Sequence, residues 1–127
     1  MTYLVAVDGV LRTERGVPVF DMKILVLSLI ENARVVFSAP EGSDAERFLG
    51  MERITGHAAV RHGDFLDHLA EERSQGYVSA VLTPDTEVAR VAFEQGVTAM
   101  LVTASAFANP KWRPDWKSWG EIVEESQ

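Results

Sequence analysis

A three-layer α/β/α sandwich around a central five-stranded parallel sheet is the fold class that this sequence predicts. Three observations predict it. The run Tyr3-Leu-Val-Ala-Val7 is short, apolar throughout and partly β-branched, which is how a strand buried on both faces reads. Four more short apolar runs follow it, and each gap between runs holds a helix-patterned segment with its own capping or stop signals. Alternation of this kind builds a parallel sheet with helices on its faces, joined by right-handed crossovers.

Taken in order, the first strand runs into Asp8-Gly9-Val10-Leu11. Asp8 therefore stands where a central strand ends and a loop begins, the place where open α/β sheets hold their ligands. Gly16 and Pro18 mark a turn, so residues 12–19 have room for a small hairpin or flap. Asp21 reads as the N-cap of a heavily buried helix carrying Met22, Ile24, Leu25, Leu27, Leu29 and Ile30, and ending near Asn32 or Ala33. Arg34-Val-Val-Phe-Ser-Ala39 is the second strand. Ser43-Asp-Ala-Glu46 has capping-box spacing and opens a short helix through Leu49, stopped by Gly50. Residues 51–57 read as loop, and Ala58-Ala-Val60 as a minimal edge strand.

Gly63 to Gln75 is the third helix, with Phe65, Leu66 and Leu69 facing the core and Glu71, Glu72 and Arg73 facing solvent. Within it, Asp64 and His68 have i, i+4 spacing, which reads as local helix support. Tyr77 to Leu82 is a strand, Pro84 to Gln95 a helix, and Val97 to Val102 the last strand. Residues 103–127 differ in kind. They hold Pro110, Pro114 and all three Trp of the chain, then a short acidic helix from about Ser118. The expected organisation is one core, 1–102, with a Trp-rich extension, 103–127, packed on it.

Composition bounds the function. At 127 residues, 46% apolar and 24% charged, the chain has the make-up of an ordinary globular domain. A net charge of −7 argues against a nucleic-acid partner, which demands a cationic footprint. No window is apolar enough to span a bilayer, and no export signal opens the chain. The lack of cysteine removes disulfides, thiolate metal sites and thiol nucleophiles, and fits a cytoplasmic protein. His57, His62 and His68 lack the spacing of a helical metal pair.

The strand followed by Asp8-Gly9-Val10-Leu11 resembles the first signature of the haloacid dehalogenase-like (HAD-like) phosphatases, Asp-x-Asp-Gly-(Thr/Val)-Leu. The first Asp of that signature, the nucleophile, falls on Ala6. The rest of the chain is similar to the family in order and spacing, as in small cap-less members from actinobacteria and phages. The resemblance implies a HAD-like, Rossmannoid core with no cap domain and an open strand-end crevice. It places the second motif on Ser38, whose hydroxyl would bond a phosphoryl group, and the third on Arg61, with His62 as alternative. It places the metal-binding acids of the fourth motif on Thr83 and Pro84, with Asp85 and Glu87 in the first turn of a helix.

HAD-like phosphoryl transfer needs a nucleophilic carboxylate, a second carboxylate for leaving-group protons, and carboxylate-anchored Mg²⁺. With Ala6, Thr83 and Pro84 in those places, the resemblance implies an inactive pseudophosphatase with no cofactor. Asp8 is then a vestigial acid/base, Ser38 and Arg61 are ligand-binding residues, and the chain acts as a binding or regulatory module toward a protein partner, with self-association compatible. A divergent phosphatase or hydrolase using Asp8 and Mg²⁺ is the alternative. A receiver-like domain fits less well, because Asp8 lacks acidic neighbours. Each residue also has a purely structural reading: Asp8 and Ser38 as turn residues, Arg61 and the histidines as surface or packing groups. Trp112, Trp116 and Trp119 are candidate interface residues, since Trp favours hot spots, or they cover the domain's own surface.

Overall fold

The computed structural model describes residues 1–102; the extension 103–127 and the interface candidates Trp112, Trp116 and Trp119 lie outside the described residues. Five strands alternate with four helices: β1 (Thr2–Ala6), α1 (Phe20–Asn32), β2 (Arg34–Ala39), α2 (Ala45–Met51), β3 (Ala59–His62), α3 (Phe65–Gln75), β4 (Val78–Thr83), α4 (Thr86–Glu94) and β5 (Thr98–Leu101). All four strand pairings are parallel and the order is β3-β2-β1-β4-β5, a Rossmann-like α/β sheet. The chain starts at the centre, winds outward through β2 to β3, then returns to the other flank through β4 to β5. The reversal falls beside β1, so a crevice at its carboxyl end follows from topology.

The apolar run that opens the chain behaves as its pattern requires. Leu4 faces one side of the sheet, packed with Val36, Val81, Leu69 of α3 and Ala92 of α4. Val5 and Val7 face the other, with Val35, Phe37, Leu82, Val26 of α1 and Phe48 and Leu49 of α2. Full burial of each such side chain contributes about 1.5–3 kcal/mol. A strand with apolar residues at consecutive positions can use both contributions only between two helical layers.

After Ala6 the chain makes one helical turn, Leu11 N–H donating to the Val7 carbonyl at 3.0 Å. Val10 and Leu11 are thereby tucked into the α1 and α2 side of the core. The expected flap then forms. Thr13 N–H donates to Val17 O at 2.9 Å and Val19 N–H to Leu11 O at 2.8 Å, closed by Gly16 at φ +79°.

Several boundaries and burials differ from expectation. Val19, not Asp21, is the N-cap of α1, and Asp21 sits in its first turn. The helix is not heavily buried: only Val26 is, while Phe20, Ile24 and Leu25 are exposed. Its apolar residues run nearly all round, and a helix on one face of a sheet can bury only one stripe. The Ser43–Glu46 capping box does not form. Ser43 Oγ accepts from Ala45 N–H, Asp44 is the N-cap, and Glu46 turns to His62. Helix α2 passes through Gly50 to Met51. Strand β3 extends to His62, so Arg61 lies in a strand rather than at a helix start. Helices α3 and α4 each begin two residues later than expected, capped by Asp64 and Asp85.

The largest difference is Glu72, expected in solvent and in fact 2% exposed. Its carboxylate accepts hydrogen bonds from Arg34 of β2 and from Arg61 of β3, the latter at 2.7 Å from Nε. Arg61 also pairs with Glu71 at 3.1 Å. Burial works to raise the Glu72 pKa, but the two guanidinium groups overcome it and hold the carboxyl below its ordinary value. No described helix is long and apolar enough to cross a membrane.

Candidate functional site

The carboxyl ends of β1, β2 and β4 open into a crevice of about 310 Å³. Ala6 and Asp8 come from β1 and its following turn, Ser38 from β2, Thr83 and Pro84 from the end of β4 and the loop after it, and Asp64 and Asp85 from the caps of α3 and α4. The described lining includes three carboxylates and no Lys or Arg.

Each carboxylate is already engaged. Asp8 Oδ1 accepts from Arg12 Nε at 2.6 Å across the helical turn. Asp85 Oδ1 accepts from Glu87 N–H at 2.8 Å and from Val88 N–H at 3.3 Å, an N-cap. Asp64 Oδ2 accepts from Asp67 N–H at 3.3 Å in the same role at α3. Both caps place charge at the positive end of a helix dipole.

Arg12 organises this corner. Its guanidinium donates to Asp8, to Asp44 at 2.8 Å and to Ser43 Oγ at 3.3 Å, and it lies 5.0 Å from the ring centroid of Phe48. Its side chain is only 11% exposed. Burial opposes its charge, yet the hydrogen bonds to Asp8 and Asp44 raise its pKa, and Arg12 in turn holds the Asp44 carboxyl low. The geometry makes Asp8 the partner of a fixed cation.

Ser38 and His68 form the second cluster. Ser38 Oγ and His68 Nδ1 share a hydrogen bond of 2.6 Å, and both residues are buried. Nε2 of His68 lies beside Gly63, 3.4 Å from the point a Cβ there would occupy. His68 is therefore bound to the strand end, not to Asp64. On the opposite wall, Thr83 Oγ1 accepts from Asp85 N–H at 3.1 Å. The Pro84 ring fills the space over Gly9, where a Cβ would come within 2.4 Å of Pro84 Cγ.

Of the residues that the sequence singles out, the structure brings Ala6, Asp8, Ser38, Thr83, Pro84 and Asp85 to the crevice. Arg61 is not in its described lining; it points to α3 and is held by Glu71 and Glu72. His62, the alternative, faces Glu46 and Pro40 on the outer rim. The sequence does not single out Arg12 or His68 as site residues. Arg12 carried a weak signal, its i, i+4 spacing from Asp8. His68 carried none, since its partner lies 30 residues away.

Among the described residues, no group of three or more His, Cys, Asp or Glu side chains converges as a metal site. The methyl of Ala6, Asp8 with Oδ1 held by Arg12, and Thr83 and Pro84 in place of acids do not make the carboxylate set that Mg²⁺ needs. Comparison with protein-family models, curated proteins and solved structures returned no match.

Proposed function

We propose that the chain is a HAD-like domain without phosphoryl-transfer chemistry, acting as a binding or regulatory module toward a protein partner. One observation carries this reading. At the carboxyl end of the central strand the crevice receives the methyl of Ala6, and the next carboxylate, Asp8, is occupied by Arg12 at 2.6 Å. A displacement at phosphorus needs a nucleophile and compensation for the phosphoryl charge. The crevice offers neither in its described lining, and three carboxylates there repel a phosphate. The strand order, the turn and flap after β1, and Ser38 at the end of β2 support the HAD-like part of the reading.

The absence of a cation in the described lining also bears on the partner. An acidic, open crevice on a chain of net charge −7 suits a basic or neutral protein surface better than an anionic metabolite.

The test is hydrolysis of p-nitrophenyl phosphate by the intact protein with Mg²⁺ present. The expected rate is that of the buffer control. Turnover that disappears in Asp8→Asn would establish the divergent phosphatase instead. For the binding half, Ala6→Arg fills the crevice and offsets part of its negative charge. A partner captured by the wild type should be lost by this variant at unchanged folded fraction; retention would place the interface elsewhere.

A further inference from the structure

His62, the last residue of β3, is held at both ring nitrogens by groups that only accept. Nδ1 lies 3.2 Å from the Pro40 carbonyl oxygen. Nε2 lies 2.8 and 2.7 Å from the two carboxylate oxygens of Glu46 on α2. A neutral imidazole carries one N–H and one lone pair, so it can satisfy only one of these contacts. Both are made together only by the imidazolium.

We propose that His62 is a proton-operated clamp on the rim of the crevice. Protonated, it ties the end of β3 to the loop 40–44 and to α2. Neutral, it keeps the stronger, charge-assisted bond to Glu46 and releases the Pro40 carbonyl. The consequence reaches the crevice through that loop. Pro40 lines the crevice, and its carbonyl also accepts from Ser43 N–H at 3.1 Å. Ser43 and Asp44 in turn hold Arg12, which holds Asp8. The loop is thus fixed at one side by His62 and at the other by Arg12, and one of those fixings depends on a proton.

The charged groups acting on His62 favour the protonated form. Glu46 comes from α2 and Glu41 from the loop, while His57, ahead of β3, acts on Glu46. The hydrogen bond to Glu46, and after it the one to the Pro40 carbonyl, raise the His62 pKa from its ordinary value. The Glu46 carboxyl is lowered by the same contact. The clamp therefore opens on the alkaline side of an ordinary histidine. This device does not depend on whether the crevice is catalytic or binds a protein.

The experiment is an NMR titration of the full chain from about pH 5 to 9, following the His62 ring and the amide protection of Ser43 and Ala45. The ring should titrate above the ordinary histidine value of roughly 6.5. After correction for intrinsic exchange, Ser43 protection should fall about three- to tenfold at the same midpoint, the weight of one hydrogen bond. In Glu46→Gln both midpoints should move down together. A ring that titrates at or below the ordinary value overturns the clamp. So does Ser43 protection that stays flat through the ring midpoint in the wild type, which requires no variant to fold.

Discussion

Gly9 shows how a single position shapes the crevice. Its φ of +87° lies in the left-handed region, and the Pro84 ring stands where its Cβ would be. A side chain here meets both backbone strain and overlap with a ring anchored in β4's following loop. Gly9→Ala should lower stability by more than about 1 kcal/mol, read as a fall in the urea midpoint at constant slope. An unchanged midpoint would mean that Pro84 moves freely, and that the crevice floor is softer than described. Ala6 gives the converse prediction. Ala6→Asp completes the resemblance to the HAD-like signature but adds a fourth carboxylate to a lining with no described cation. It should not produce p-nitrophenyl phosphate turnover, and it should lower the melting temperature at pH 7 more than at pH 5, because a carboxylate among carboxylates resists ionisation. Turnover in this variant alone would show that phosphoryl transfer here does not need acids at Thr83 and Pro84. Ala6 and Asp8 were legible in the sequence because a strand end and its turn are local. What Asp8 does was only half legible: the spacing to Arg12 is local, but Asp44 and Phe48 join it through the tertiary fold.

At the scale of elements, the Arg34–Glu72–Arg61 cluster joins α3 to β2 and β3. The Glu72 side chain is 1% exposed, while Arg34 and Arg61 are 40% and 22% exposed. Breaking a buried pair costs about 3–5 kcal/mol where a charge is stranded. Here the stranded groups are the partly wet guanidinium ends, so Glu72→Ala should cost roughly 2–3 kcal/mol by urea unfolding. Glu72→Gln, which keeps an acceptor and loses the charge, should cost less. If Glu72→Ala leaves stability unchanged, the cluster is neutral overall and helix α3 is held by Leu69 and its apolar neighbours alone. This element also marks the limit of pattern reading. Glu71-Glu72-Arg73 looks like a solvated face, because helical periodicity sees polarity but not partners. Only the β2–β3 register, which sets Arg61 beside Ser38, shows that Glu72 has cations waiting on the sheet. In α1 the pattern misleads the other way: apolar residues suggest burial, but a helix on one side of a sheet has room for one buried stripe. The alternation of elements was fully legible, since it rests on short apolar runs and stop signals rather than on partners.

For the molecule as a whole, two histidines set opposing pH dependences. His62 has a raised pKa, so its contribution to stability is complete below the unfolded value of about 6.5 and is lost as pH rises through the folded value. His57 behaves in the opposite way. Its ring stacks edge-on against Phe37 at 5.0 Å, its Nδ1 is buried without a partner among the described residues, and burial lowers its pKa. The unfolded chain then binds the proton first. The stability from keeping His57 neutral is complete above about pH 6.5 and is lost as pH falls through the folded value. Glu46, Glu72 and Asp44, all held low in the fold, add a second acid loss that begins only below about pH 4.5. The melting temperature should therefore form a shallow dome with its top near pH 6 to 7, and a two-step descent on the acid side. His57→Gln removes the first step: between about pH 5 and 6.5 its melting temperature should be flat, with the carboxylate loss beginning where it does in the wild type. Calorimetry across that range in matched ionic strength decides the matter. If the acid limb of His57→Gln runs parallel to the wild type from pH 6.5 downward, the ring is solvated and protonates freely in the fold, and the edge contact with Phe37 does not keep it neutral.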